Sequence, residues 1–374
     1  MSFLRPATIT IDLDALAHNV GLYRRVAGSS TFFAVIKGDG YGIGIVAAAR
    51  TCLAAGADAV ALGNPDDVAA LRQAGIDAPM LLYASTLPQD AADVAALGVM
   101  PTIHDRASLD AFAATGRRLD VWVKVDCGLG RLGFARGTWH EAFAALAEAK
   151  TLRLAGVYTH VRDTHDPVAL AEQGGLFNVA CAAASGAGFS GFSRMLASSR
   201  VVLERPELHF DAINPGKGMY GYGDPDWAYA DEIRPVVAKV AGRVIQVKTH
   251  PAGTVFYGDS APLDVPRVSA VVPMGHCDGF NHRPPCGEVI VAGRRCPIVA
   301  RRGIEHTVVD VTGVDAAVGD EAVFIGSQGA ETITLAEVAA VLGVHPPELI
   351  ARIARMAPRE YLPASAAAAR QAAE

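Results

Sequence analysis

Between residues 32 and 213 the chain alternates, eight times over, between short apolar runs and Ala-rich stretches of helical period. Few folds accept that rhythm. The runs are 32–37, 57–62, 80–85, 99–103, 119–125, 154–160, 195–198 and 209–213. Helical patterns such as 65–74, 89–97, 106–115 and 138–150 separate most of them. Strands that read as near-continuous apolar runs are buried on both faces, as in a parallel sheet covered by helices. Eight such units predict an α/β fold, a (β/α)8 TIM-like barrel. The alternative is an open doubly wound sheet, which wants a Gly-x-Gly-x-x-Gly turn; Gly38-Asp39-Gly40-Tyr41-Gly42 does not space that way. Asn64-Pro65-Asp66 and Thr138 carry helix-start chemistry.

Beyond residue 230 the texture changes to short β-rich runs broken by Gly and Pro, with helices returning only near 335–342 and 348–356. The expected division is a barrel domain over 8–230 and a mostly β domain over 231–362, with 1–7 packing alongside it. An Ala-rich tail, 363–374, is expected to be disordered. The chain is 374 residues long and 51% apolar, so two cores are affordable. A net charge of −6 with no basic stripe excludes a nucleic-acid partner. No apolar run approaches the roughly 18 residues of a membrane span, and the N-terminus lacks a signal-peptide core. Six cysteines without a Cys-x-x-Cys pair fit a reducing cytoplasm.

Polar residues gather at the ends of the apolar runs. Lys37 closes the first; Lys124, Asp126 and Arg131 follow the fifth; His160 closes the sixth, Ser198 and Ser199 the seventh, and Asn214 to Gly218 the eighth. In a barrel these ends converge on one mouth. A lysine beside an apolar layer is paired, neutral or covalently bound, and a desolvated lysine is the usual Schiff-base nucleophile. Loops after the last two strands of a barrel often hold phosphate, and Ser199 with Gly216 and Gly218 supplies donors there. A lysine opposite a phosphate site points to pyridoxal 5′-phosphate. Asp163, His165 and Asp166 look like a metal cluster, but a polar loop and helix cap is the simpler reading.

Several stretches resemble the alanine racemase family, the fold-type III pyridoxal-phosphate enzymes. They are Ala34-Val35-Ile36-Lys37-Gly38-Asp39-Gly40-Tyr41-Gly42, Val125-Asp126-Cys127-Gly128-Leu129-Gly130-Arg131-Leu132-Gly133, Tyr158-Thr159-His160, Ala197-Ser198-Ser199, Asn214-Pro215-Gly216 and Gly275-His276-Cys277-Asp278-Gly279. The resemblance implies a barrel followed by a β domain and a head-to-tail homodimer whose active sites are completed by the partner's second domain. It gives Lys37 the cofactor and one catalytic proton. His160 would stack on the pyridine ring, with Tyr41, Ser199, Gly216 and Lys217 around the phosphate and Arg355 near it. Arg131 and Ile304 would meet the substrate, and Lys124 aligns with a lysine carbamylated in some members.

The family's second base is a tyrosine where this chain has His276, and its pyridine partner is an arginine where this chain has Asn214. Arg355 stands in place of a tyrosine, and Gly303-Ile304-Glu305 in place of Cys-Met-Asp. Histidine accepts a proton near neutral pH unaided, so racemisation of a small amino acid by Lys37 and His276 is the first expectation. His276-Cys277-Asp278 is also similar to a metal-binding triplet of D-threonine aldolases. His276 and Asp278, with His282 or Glu305, are therefore candidate ligands for Mn²⁺ or Zn²⁺. That leads to the alternative of a lyase, an aldolase or dehydratase acting on a D-β-hydroxy amino acid. A cofactor-binding protein without turnover is the third reading.

Overall fold

The computed structural model describes residues 5–256, 261–353 and 357–362. Residues 14–40 and 44–234 group into one compact unit; 5–13, 41–43 and 235–362 group into the other. Arg355 and the tail beyond 362, both singled out in the sequence, lie outside the described residues.

Among the described residues the first unit is a closed barrel of strands β2 (Thr31–Val35), β3 (Ala59–Leu62), β4 (Met80–Leu82), β5 (Met100–Ile103), β6 (Leu119–Lys124), β7 (Leu152–Tyr158), β8 (Ser193–Ala197) and β9 (Ala212–Ile213). They pair in sequence order, with β9 closing on β2. The parallel pairing explains the composition. Strands such as Ala59–Leu62 and Met80–Leu82 are buried at every position, so alternation disappears. The interior is filled unevenly: Trp122 meets Phe33 edge-on at 5.2 Å and Tyr158 at 6.3 Å between ring centres. A Cβ at Gly156 would lie 2.4 Å from the Trp122 ring, so the glycine makes room for the indole.

Helices begin largely where cap chemistry says. Asn64 accepts from the Asp66 N–H ahead of Pro65 at the first turn, and Asp166 accepts from Val168 and Ala169. Thr138 makes no such cap; its hydroxyl donates to the Ala135 carbonyl.

The second unit is mostly β, as the Gly- and Pro-broken runs predict. One sheet contains β1 (Ala7–Asp12), β10 (Val237–Arg243), β13 (Glu288–Val291), β14 (Arg294–Pro297), β16 (Glu321–Gln328), β17 (Glu331–Ile333) and β18 (Arg359–Leu362). A smaller one contains β11 (Gln246–His250), β12 (Arg267–Val272) and β15 (Thr307–Asp310). Strand β1, placed by the sequence at the head of the barrel domain, runs antiparallel to β10 and parallel to β18 in the larger sheet. Its burial alternates strictly, the mark of a strand covered on one face, whereas barrel strands are buried on both. Among the described residues no helix is long and apolar enough to cross a membrane.

Candidate active site

The backbone turns sharply after β2. Lys37 is followed by Gly38, Asp39 and Gly40, all left-handed with φ of 65°, 58° and 64°. Glycine adopts this freely, and aspartate is among the few other residues that tolerate it. Asp39 also caps the next helix, accepting from the Ile45 N–H at 2.8 Å. The turn thus fixes where Lys37 starts. The lysine side chain as a whole remains exposed in the single chain. Desolvation of its amine by the surrounding mouth, and then the Arg131 charge, hold its pKa below the ordinary lysine value.

Arg131 ends a loop organised by Asp126. The Asp126 carboxylate accepts from the N–H groups of Gly128, Leu129 and Gly130, all at 2.9 Å. Burial works against its charge, but these donors prevail and keep the carboxyl below its usual range. Lys124, at the end of β6, is 5% exposed. Its amine lies 4.5 Å from the centre of the Tyr158 ring. Burial, followed by Arg131, brings its pKa down to about 8, and Lys37 adds to the effect. His160 is brought down to about 4 by burial and by the charges of Lys124, Lys37 and Arg131. Three cationic side chains and one neutral imidazole therefore share the mouth.

Across the mouth, Ser199 opens a short helix and is 4% exposed. Its hydroxyl oxygen accepts from the N–H groups of Gly216 at 2.9 Å and Gly218 at 3.2 Å. The sequence pictured these N–H groups facing a phosphate; here they turn to Ser199. Gly218 admits no side chain, since a Cβ would lie 2.0 Å from the Tyr23 hydroxyl. The Lys217 amine reaches Asp224 at 3.4 Å and lies 4.7 Å from the Trp227 ring centre, so its charge is directed to those partners. Asn214 is 6% exposed. Its amide N–H donates to the Tyr83 hydroxyl at 3.1 Å, while its Oδ1 is buried without a hydrogen-bond partner. Tyr83 and Thr102, which hydrogen bonds to the Tyr158 hydroxyl at 3.0 Å, are mouth residues the sequence reading missed. A tyrosine directly after Leu81-Leu82 was the available signal for Tyr83. Tyr41, last in the β2 turn, groups with the other unit, and burial pushes its phenol up to about 12.

In the second unit, His276 heads a single tight turn held on a neighbouring segment. The His276 N–H donates to the Gly303 carbonyl and the Cys277 N–H to the Ile304 carbonyl, both at 3.0 Å. Gly275 permits this approach, because a Cβ there would lie 2.2 Å from the Ile304 oxygen. The His276 ring meets His282 edge-on at 5.0 Å. Ile304 itself is 66% exposed.

Among the described residues of the single chain, the candidate ligands His276 and Asp278 do not gather into a metal-holding group. Asp278 has no exposure, and its carboxylate is committed to Arg5 at 2.6 Å and to the Gly275 N–H at 2.8 Å. Among the described residues no group of three His, Cys, Asp or Glu side chains could hold a metal ion, so neither His282 nor Glu305 completes one with His276. Asp163, His165 and Asp166 resolve as the sequence favoured. Asp163 accepts from the His165 N–H at 2.7 Å, Asp166 caps its helix, and His165 bonds Arg200 at 2.6 Å.

The match to known proteins runs the length of the chain. Residues 11–224 match the alanine racemase N-terminal domain and residues 237–361 the C-terminal domain. The chain belongs to the alanine racemase family. Curated alanine racemases of Carboxydothermus hydrogenoformans and Desulfovibrio desulfuricans are 32% and 34% identical over 373 and 374 residues, covering 96% and 97% of this chain and the whole of each relative. Among solved structures, the alanine racemase of Streptomyces lavendulae superposes with a TM-score of 0.89 at 28% identity, over 98% of this chain and all of that one. That of Bacillus anthracis with bound L-Ala-P gives 0.89 at 27%, over 97% of each. The racemase family thus accounts for both units and their order, and the TIM-like barrel followed in the chain by a mostly β domain is the family fold.

Proposed function

We propose that the protein is a pyridoxal 5′-phosphate-dependent racemase of a small α-amino acid, with Lys37 and His276 as its two bases. The observation that carries this reading is a strand-end lysine whose amine is held below its usual pKa among further cations at a barrel mouth.

The mouth suits the cofactor. It offers an amine lowered toward nucleophilicity, the positive field of Lys124 and Arg131 for an anion, and a neutral imidazole at His160. The unsatisfied buried Asn214 oxygen calls for a donor from a bound molecule. Bound through its aldehyde, the cofactor supplies an electron sink that acidifies the Cα–H of an amino acid. Lys37 would hold it and move the proton on one face. His160, uncharged at neutral pH, would lie flat against the ring without competing for positive charge. Ser199, with the Gly216 and Gly218 N–H groups now given to its oxygen freed to turn outward, would take the phosphate, with Lys217 and Tyr41 beside them. Arg131 would orient the substrate carboxylate, and Ile304 would bound its side chain. His276, delivered by a second copy of the chain as the family resemblance implies, would serve the opposite face; imidazole does this at neutral pH without tuning. All six cysteines are free, which supports a reducing cytoplasm as its setting.

One observation favours a second reading. Asn214 directs its N–H to Tyr83 and leaves an acceptor, which favours a protonated heterocyclic nitrogen and a stronger electron sink. A cofactor held this way would supply a stronger sink, which would suit retro-aldol cleavage or β-elimination of a D-β-hydroxy amino acid.

A panel of amino acids followed by chiral chromatography separates the readings. Racemisation with deuterium uptake at Cα, lost in Lys37→Ala together with absorbance at about 420 nm, is the expected result. Release of aldehyde or oxo acid from D-threonine or D-serine without racemisation would replace it with the lyase. Cofactor binding with neither product would leave a protein without turnover.

A further inference from the structure

Arg302 is the largest fully buried side chain of the described residues, at 1% exposure, and among them it forms no ion pair. Its Nη2 donates to the Cys286 carbonyl at 2.8 Å and its Nη1 to the Asn281 carbonyl at 3.3 Å, while its Nε is buried with no partner. The guanidinium lies 4.7 Å from the Phe280 ring centre. It borders a cavity of 60 Å³ whose wall is otherwise largely apolar, from Phe324, Ile333, Val338 and Val341. Two carboxylates reach that wall, Glu288 and Glu337; neither pairs with Arg302, and both share Arg295 with a third, Glu331. Burial lowers the Arg302 pKa to about 10, with Cys286 opposing the shift, so the group still carries its charge at neutral pH.

A buried charge without a counter-charge is among the costliest arrangements in a protein interior, and carbonyl contacts relieve it only in part. The cavity exceeds the ~10–15 Å³ that a single water needs. We propose that the Arg302 cavity is a binding site for a small monovalent anion, of halide or formate size. It lies within the second unit and goes beyond the proposed reaction. Its consequence reaches that reaction all the same. The Arg302 N–H donates to the His282 carbonyl at 3.0 Å, and the Arg302 carbonyl bonds the His282 ring at 2.7 Å. The next residues, Gly303 and Ile304, hold the His276 turn. An anion on the guanidinium therefore braces the segment on which His276 rests.

Crystals of the full-length protein soaked in sodium bromide test this directly. Anomalous density in the cavity within hydrogen-bond reach of Arg302 is expected. In parallel, thermal melts at matched ionic strength should show a saturable rise of about 2 °C or more in chloride, bromide or formate over gluconate, absent in Arg302→Met. Water alone in the bromide map, or superimposable chloride and gluconate melts of the wild-type protein, would overturn the assignment. Both wild-type measurements decide the matter even if Arg302→Met does not fold.

Discussion

His160 and Asp278 each show how a single side chain is set by its surroundings. In the unfolded chain an imidazole takes its proton near pH 6.5; folded, His160 does so at about 4, because burial and then Lys124, Lys37 and Arg131 oppose the charge. Between those values the unfolded chain binds the extra proton, so stability falls as pH drops from about 6.5 to about 4 and is unaffected by this group above that window. The loss is on the order of 3 kcal/mol in the cofactor-free protein. Urea titrations at several pH values should show a shallower slope in His160→Asn. Asp278 is a candidate metal ligand by the likeness of His276-Cys277-Asp278 to a D-threonine aldolase triplet. Its charge is instead answered by Arg5, more than 270 residues away in sequence. Arg5→Ala leaves a buried carboxylate unpaired and should cost about 3 kcal/mol by urea unfolding. Adding Mn²⁺ should restore none of it.

Strands and turns depend on the absence of side chains as much as on their presence. Gly156 on β7 is negative in φ and needs no special backbone freedom; it is glycine because the Trp122 ring occupies the space. Gly156→Ala should destabilise the barrel by about 2 kcal/mol in chemical denaturation, since a packed indole has no room to withdraw. At Gly218 the obstacle is the Tyr23 hydroxyl, next to the Ser199 turn. Gly218→Ala should therefore weaken pyridoxal phosphate binding by about tenfold or more, read by fluorescence titration, through displacement of the turn that positions Ser199. Neither collision is visible in one dimension, although the barrel strands themselves are.

For the whole molecule, the proposal divides each active site between two copies of the chain. Lys37→Ala and His276→Phe should each be inactive alone. Unfolded together at equal amounts and refolded, they should recover about a quarter of wild-type racemisation, because half of the dimers are mixed and each mixed dimer holds one intact site. No recovery would mean that one chain supplies both bases.

The sequence alone determined the eightfold strand and helix rhythm, hence the barrel, because buried parallel strands and amphipathic helices leave different periods. It also determined the residue types at the strand ends, and through them the family. The tertiary structure decided what those residues do to one another. The lowering of Lys37, Lys124 and His160 by burial and by the Arg131 charge they share depends on three strand ends and the Arg131 loop meeting in space. The commitment of the buried Asp278 carboxylate depends on Arg5, from the far end of the chain. The transfer of β1 to the second sheet depends on β10 and β18, whose pairing partner no local pattern names. Periodicity is a property of neighbours along the chain, whereas charge, burial and strand partnership are settled by neighbours across it.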